Sequence, residues 1–249
     1  MSVCEGRARE FIATYEFLKR QGENEPAFAA PASQRELAEE VSKGCDGAAK
    51  RFIHAMLLLE RSGVGGADRV RLARSLALTD AAHAELFFAV FSLAFAKDGL
   101  DLDLVSSLRM AERLGLTMDG GDSASPKIAL KVFRDVTGFC LKTTGNRGLD
   151  LSRPVCAEIA TEMAESAARQ GESSLGSKFA QSVLFLSQER GEERLSIAEA
   201  VALMRSIAAE AGATGLENFR TALAYAARDG GMKLSFRDSI RFAEQMAGR

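Results

Sequence analysis

The sequence contains no tryptophan, only two tyrosines and only four prolines among its 249 residues. Because prolines are so few, long stretches of backbone keep the N–H groups that a helix needs. Alternation of β-branched or aromatic residues with polar ones, the pattern of a half-buried strand, is scarce. Strong helix formers, namely alanine, leucine, glutamate and arginine, are abundant. The sequence therefore predicts an all-helical fold.

Long apolar runs and blocks of one charge sign are also missing. The net charge is −2 and the two signs are interspersed, which disfavours non-specific binding to nucleic acid or anionic membranes. The most apolar segment, residues 84–96, is shorter than the about 20 residues that a membrane-spanning helix needs. We expect it to form a helix buried within the protein, with no membrane insertion.

The four cysteines are Cys4, Cys45, Cys140 and Cys156, and no two of them form a Cys-x-x-Cys pair. An even number permits bridges, but a chain with enough residues for a core and no secretory signal favours buried, reduced thiols. Residues 1–11 carry charges where an export signal needs an apolar run. We expect a cytoplasmic protein, and export without a cleavable signal is the alternative.

Residues 214–249 show the sequence pattern of one helical pair most clearly. Two apolar stripes with helical spacing flank the glycines Gly230 and Gly231, which predict a sharp helix stop. Ser235 and Asp238 have the spacing of a capping box, which predicts the start of the second helix. The stripes consist of Phe219, Ala222, Leu223 and Ala226, and of Ile240, Ala243, Met246 and Ala247.

Weaker copies of this unit occur upstream. Equivalent positions in successive second helices are Ala73, Ala111, Ala160, Met204 and Ala243, separated by 38, 49, 44 and 39 residues. Such steps are typical of two-helix solenoid repeats. We expect a right-handed stack of antiparallel helical pairs, with roughly five to six repeats of about 38–49 residues. An irregular all-helical bundle is the alternative.

The domain organisation follows from the loops. Residues 1–32 are predicted to form an N-terminal helix and a proline-containing linker, with Phe11, Ile12, Tyr15 and Leu18 on one helix face. Residues 33–249 are predicted to form the helical-repeat domain, with a sub-module boundary near residues 116–125. The pattern Ser33-x-x-Glu36 predicts a capping box, and Ser125 before Pro126 predicts another helix start.

The repeated helical pairs resemble the broad class of α-solenoids, such as HEAT-, armadillo- or TPR-like arrays, without the signature letters of any of these families. The resemblance implies an extended surface that binds peptides or other proteins. We therefore expect a non-catalytic protein–protein interaction or scaffold module. One alternative is a bacterial effector or regulator that binds a host or cellular protein.

Candidate catalytic and metal-ligating residues are few. His54 and His83 lie beside apolar stripes, and neither has a histidine or cysteine at the spacing of a metal pair, so both are interpreted as core residues. A helical-bundle enzyme that uses His83 with Glu85 or Glu162 is a further alternative. We expect no catalytic site, no metal site and no cofactor.

Two charged helix faces are the predicted binding surfaces for a protein or peptide partner. Charged faces are ordinarily solvated, and acidic residues interrupt the basic excess near the C-terminus, which makes nucleic acid an unfavoured partner. The candidate binding residues are Arg237, Arg241, Glu244 and Gln245 on the last helix, and Glu158 and Glu162 on an earlier one.

Overall fold

The computed structural model describes residues 4–22, 30–117, 125–142, 148–187, 194–227 and 231–248. Within these ranges the chain forms eleven α-helices and one short 3-10 helix, Ser42–Gly44, and no strand. The all-helical prediction is confirmed. The helices are α1 (Arg7–Gly22), α2 (Pro31–Val41), α3 (Ala48–Arg61), α4 (Gly66–Leu78), α5 (Ala81–Phe95), α6 (Leu104–Gly115), α7 (Ser125–Leu141), α8 (Arg153–Gln170), α9 (Leu175–Ser187), α10 (Ile197–Ala227) and α11 (Phe236–Met246).

The helices divide into two compact units. Unit 1 comprises residues 1–92 and 103–117, and unit 2 comprises residues 93–102 and 118–249. Among the described helices, none combines the length and the hydropathy that crossing a membrane requires. The domain boundary at residues 32/33 and the sub-module boundary near 116–125 stay predictions, and Gly230 and residues 118–124 lie outside the described residues.

Unit 1 consists of helices that pack with their neighbours in sequence. Helix α1 contacts α2 and α3, and α3 packs along α4. Helix α6 approaches α5 closely at Gly115, where an added Cβ would lie 2.6 Å from the Cβ of Phe87. The fully buried side chains of this unit include Phe52, Leu59 and Phe87.

Unit 2 has the same sequential packing, with α7 against α8, α9 against α10, and α10 against α11. Helix α10 is interrupted at Gly212, whose φ of 62° and ψ of −155° fall in a region that is almost restricted to glycine. We call the two halves α10a (residues 197–211) and α10b (residues 213–227). The unit thus contains the pairs α7/α8, α9/α10a and α10b/α11, and the prediction of sequential helical pairs is confirmed.

The predicted repeat register is supported by burial. The five equivalent positions all have side chains with no solvent exposure, although they come from five different helices. A position that faces the core in every second helix is what stacked pairs require. These positions are Ala73, Ala111, Ala160, Met204 and Ala243.

A recurrent hydrogen bond closes four helical pairs, namely α5/α6 and the three pairs of unit 2. Each time, a leucine just before the second helix donates its backbone N–H to a carbonyl near the end of the first helix. In three of the four cases the residue before the leucine has a positive φ, namely Asp101, Asp150 or Lys233. The bonds are Leu102 to Ala94 at 2.9 Å, Leu151 to Cys140 at 3.0 Å, Leu195 to Leu186 at 3.2 Å and Leu234 to Ala226 at 3.0 Å.

Most predicted helix starts are observed, and one is wrong. Ser235 caps α11 by accepting from the N–H of Asp238, and α7 begins at Ser125 as predicted. Helix α2, however, begins at Pro31, with Ala30 at the N-cap position and no side-chain cap. Proline is pre-organised for the first helical position, so the helix starts two residues before the predicted cap at Ser33.

The cysteines behave in two ways. Cys4 and Cys45 form a disulfide with a Cα–Cα distance of 5.8 Å, so the prediction of reduced thiols is wrong for this pair. The bridge joins the residues before α1 to the residue after the short 3-10 helix. Cys140 and Cys156 are buried free thiols, as expected.

Candidate functional site

The predicted acidic residues of α8 are engaged within unit 2. Arg205 of α10a donates from Nε to Glu162 at 2.8 Å and from Nη2 to Glu158 at 2.9 Å. The hydrogen bonds to Glu162 are the main reason that the pKa of Arg205 is raised. Glu158 and Glu162 therefore link α8 to the next repeat, and their role in binding a partner stays a prediction.

The predicted residues of α11 form a line on the protein surface. Arg237, Arg241 and Gln245 are exposed and recur every fourth residue, whereas Glu244 is half-buried. Arg241 lies 3.8 Å from Asp238 of its own helix. The structure brings these residues together on one helix face, and their binding role stays a prediction.

The apolar stripe predicted for α11 differs at one position. Ala243 and Ala247 are buried as predicted, but Met246 is 50% exposed. Met246 lies in the last turn of α11, where fewer neighbouring residues can cover a long side chain.

His83 and Glu85, which the sequence analysis named together, differ in burial on α5. His83 contacts Asp80, whose carboxylate also accepts from the amides of Ala82 at 2.9 Å and His83 at 3.0 Å and so caps α5. His83 is buried, while Glu85 is exposed, because residues two apart on a helix point to different faces. Within the described ranges, no group of three or more His, Cys, Asp or Glu side chains could hold a metal ion.

An open groove lies between α9 and α10b of unit 2, and neither helix was predicted to carry the binding residues. Its cavity is about 500 Å³, a volume within the range of peptide side-chain and small-ligand sites. We call it the α9/α10b groove. Its walls are formed by Phe185 of α9 and by Glu217, Arg220, Thr221, Ala224 and Tyr225 of α10b.

Two polar bridges hold the walls of the α9/α10b groove together. Lys178 Nζ lies 2.5 Å from Glu217 Oε2, and Arg220 Nη1 donates to Gln181 Oε1 at 2.8 Å. Both bridges join residues 39 positions apart, so each links one helix to its counterpart in the next repeat. The hydrogen bond from Lys178 lowers the pKa of Glu217, which keeps this bridge charged.

Arg220 has an unusual environment inside the α9/α10b groove. Its Nε atom is shielded from solvent, yet it has no hydrogen-bond partner among the described residues. A buried N–H without an acceptor is uncommon and costs free energy. Nearby, Tyr225 on the same helix is 48% exposed. The groove thus places a guanidinium group beside an apolar surface.

The sequence contains a signal for this groove that the analysis of single helices missed. Complementary polar residues, Lys178 with Glu217 and Gln181 with Arg220, are spaced by one 39-residue step. Charged residues one repeat apart can be neighbours in a stack of helical pairs. Pairing residues across the repeat period would have identified the contact between α9 and α10b.

Comparison with models of protein families, with curated proteins and with solved structures finds no match for this chain. The fold and the α9/α10b groove together define a protein of sequential helical pairs with an open groove between two neighbouring first helices. The function therefore has to be inferred from that geometry.

Proposed function

We propose that the protein is a non-catalytic protein–protein interaction module, and that unit 2 binds a peptide segment of its partner in the α9/α10b groove. The observation that carries this proposal is the position of Arg220, which lines the groove beside Phe185 and Tyr225. An acidic side chain of the partner would pair with the Arg220 guanidinium through a charge-assisted hydrogen bond.

The size of the groove favours a peptide segment over a large flat surface. A cavity of about 500 Å³ holds a few side chains. The walls come from two neighbouring helices, so the groove follows their axes and suits a linear ligand. Peptides recognised in this way use a few anchor side chains along one face.

The charges and rings of the groove define the chemistry of the ligand. Lys178 and Glu217 neutralise each other, which leaves the charge of Arg220 as the local excess. An acidic residue of the ligand would contact Arg220, and an apolar residue nearby would contact Phe185 and Tyr225. The proposed ligand is therefore a peptide with an acidic residue close to an aromatic or aliphatic one.

The proposal is tested by selecting displayed random peptides on the purified protein. We expect enrichment of sequences that place Asp or Glu within one helical turn of an apolar residue. Because the chain has no tryptophan, Tyr225→Trp introduces a single fluorescent reporter at the groove. Titration of this variant with an enriched peptide should change its fluorescence and yield the affinity.

Charge reversal at two arginines distinguishes the two candidate surfaces. Arg220→Glu should weaken binding by roughly tenfold or more, since it replaces a charge-assisted hydrogen bond with repulsion. Arg241→Glu, on α11, is the matched control and should leave the affinity unchanged. Loss of binding with Arg241→Glu alone would place the site on α11, and no effect of Arg220→Glu would refute the groove. Circular dichroism of both variants checks that they fold.

A further inference from the structure

Unit 1 has a second groove, of different chemistry, between α1 and α2. Its cavity is about 690 Å³, which lies within the range of small-molecule sites. We call it the α1/α2 groove. It is lined by Arg7, Ala8, Phe11, Ile12, Arg35, Glu39 and Ser42.

The floor of the α1/α2 groove is an apolar stripe that the packing of unit 1 leaves exposed. Ala8, Phe11 and Ile12 recur at three- and four-residue spacing, so they share one face of α1. The buried residues of α1, namely Thr14, Phe17 and Leu18, lie further along the helix. Ile12 is 59% exposed, although the sequence predicted it on the apolar face together with Leu18. This stripe is available to a ligand.

The charges at the two ends of the floor are not equivalent. Arg35 pairs with Glu39 at 2.9 Å, so its charge is compensated. Arg7 donates from Nε to Ser42 Oγ at 3.3 Å and forms no ion pair with any described residue. Among the residues that the structure describes, none compensates the positive charge of this guanidinium at the start of the apolar stripe. A planar guanidinium suits a carboxylate, which it can bind through two parallel hydrogen bonds.

We propose that the α1/α2 groove binds a single-chain amphiphilic carboxylate, a fatty-acid-like molecule free in solution. Its carboxylate pairs with Arg7, and its alkyl chain covers Phe11 and Ile12. The cation and the apolar stripe are complementary to the two parts of such a ligand. This site is in unit 1 and is independent of the proposed peptide groove in unit 2.

The Cys4–Cys45 disulfide supports the wall that positions Arg7. Cys4 precedes Arg7 by three residues, and Cys45 follows Ser42, the partner of Arg7, by three residues. The bridge and the Arg7–Ser42 hydrogen bond thus join the same two segments. Dithiothreitol reduces the bridge by giving up two electrons and two protons, which yields two thiols and the cyclic disulfide of the reagent. We expect reduction to weaken ligand binding.

The test is isothermal titration of the purified, oxidised protein with octanoate, decanoate and dodecanoate below their micellar concentrations. We expect one site, with an affinity that rises roughly two- to fourfold for each added methylene, as expected for partial to full burial of that group. Dodecan-1-ol, which lacks the charge, should bind with an affinity at least roughly tenfold lower than that of dodecanoate. Equal affinity for the alcohol, or no binding of any carboxylate, would overturn the proposal.

Variants of α1 separate this site from general hydrophobic adsorption. Arg7→Glu and Ile12→Asp should each reduce the affinity for dodecanoate by roughly tenfold or more. Arg9→Glu is the matched control, since Arg9 is equally exposed but does not line the groove. Equal losses with Arg7→Glu and Arg9→Glu would refute a specific carboxylate contact.

A second arm distinguishes a free amphiphile from a membrane surface. The oxidised protein is sedimented with vesicles of phosphatidylcholine and phosphatidylglycerol. We expect the protein to stay in the supernatant while it still binds free dodecanoate. Binding to vesicles without binding to dodecanoate would overturn the proposal in favour of a lipid surface. Circular dichroism of reduced and oxidised protein shows whether reduction acts on the groove or on the fold.

Discussion

Units 1 and 2 are both built from sequential helical pairs, but different contacts hold them together. All three helical pairs of unit 2 have the same closing hydrogen bond, at Leu151, Leu195 and Leu234, and a fourth copy at Leu102 lies between α5 and α6. Unit 1 relies on single contacts, among them the Cys4–Cys45 bridge and a fork of hydrogen bonds from Arg51. Regular contacts keep helices of successive repeats in register, and the surface of repeats stacked in this way can bind an extended partner. Individual long-range contacts fix one arrangement of a particular helix pair.

The two units share one structural feature, a helix that is capped by a glutamate from a distant part of the chain. Glu10 of α1 accepts from the amides of Gly47 at 3.1 Å and Ala49 at 2.6 Å, at the start of α3. Glu172 accepts from the amide of Ala213 at 2.5 Å, at the start of α10b. In both places the N-cap position is a glycine, which has no side chain to cap the helix itself. The comparison can therefore be tested at equivalent features in each unit.

The largest effect is expected from the disulfide, which unit 2 lacks within its described part. The bridge joins residues 41 positions apart, and closing a loop of this length contributes about 4 kcal/mol in the chain-entropy model. Cys4→Ser should lower the free energy of unfolding by about this amount. Urea unfolding followed by circular dichroism measures the change.

Dithiothreitol provides the control for the disulfide. It should lower the stability of the wild-type protein to that of Cys4→Ser and should leave the variant unchanged. A wild-type unfolding midpoint that is insensitive to the reductant would show that the bridge does not stabilise unit 1.

The next largest effect is expected at Arg51 in unit 1. Its guanidinium donates to the carbonyls of Leu76 at 3.2 Å, Asp46 at 2.8 Å and Ala77 at 2.8 Å, and so links α3 to the end of α4. Burial is the main reason that the pKa of Arg51 is lowered, which indicates that the group is partly withdrawn from water. Arg51→Ala should reduce the free energy of unfolding by about 3 kcal/mol, because several partly buried carbonyls lose a charged donor.

Two variants control for the charge and position of Arg51. Arg51→Lys keeps the charge but not the planar fork, so it should recover less than half of the loss. Lys50→Ala removes an exposed cation from the neighbouring position and should have almost no effect. An equal loss with Lys50→Ala would mean that net charge, not the fork, is responsible.

Gly212 in unit 2 is expected to show a smaller effect. An alanine there would have to adopt a conformation that is nearly restricted to glycine, and its Cβ would displace the ends of the Gln170 and Glu172 side chains, including the carboxylate that caps α10b. Gly212→Ala should therefore cost about 2 kcal/mol in unfolding free energy. Gly138→Ala in α7 is the matched control, because its Cβ would meet no atom within 4 Å.

The control substitution should have the opposite sign. Alanine has the higher helix propensity, so Gly138→Ala should stabilise unit 2 by up to about 1 kcal/mol. If both substitutions destabilise equally, the kink at Gly212 does not demand a glycine.

The features that the sequence predicted depend on residues close together in the chain. The start of α7 at Ser125 and the cap at Ser235 are set by proline and hydroxyl side chains within one turn. The buried face of the second helices follows from helical spacing alone. Local signals of this kind do not require knowledge of the tertiary fold.

The features that escaped prediction join residues about 40 positions apart. The Cys4–Cys45 bridge, the Glu10 cap and the Arg220–Gln181 contact all form only after helices pack. The start of α2 was predicted wrongly for another reason. The helix begins at Pro31, before the capping pattern that starts at Ser33. The α9/α10b groove belongs to this class, because one wall comes from each of two helices.

The two glutamate caps should show the smallest effects, and they compare the units most directly. Glu10→Ala removes the acceptor of two amide groups and should lower the free energy of unfolding by about 1.5 kcal/mol. Glu172→Ala removes the acceptor of one amide group and should lower it by about 1 kcal/mol. Hydrogen exchange measures the effect locally, at the amides of Gly47 and Ala49 or of Ala213. Each variant should accelerate exchange only at the helix that it caps. If Glu172→Ala is without effect while Glu10→Ala is not, α10b is held in place by its repeat contacts alone, and long-range capping is a property of unit 1 that unit 2 does not need.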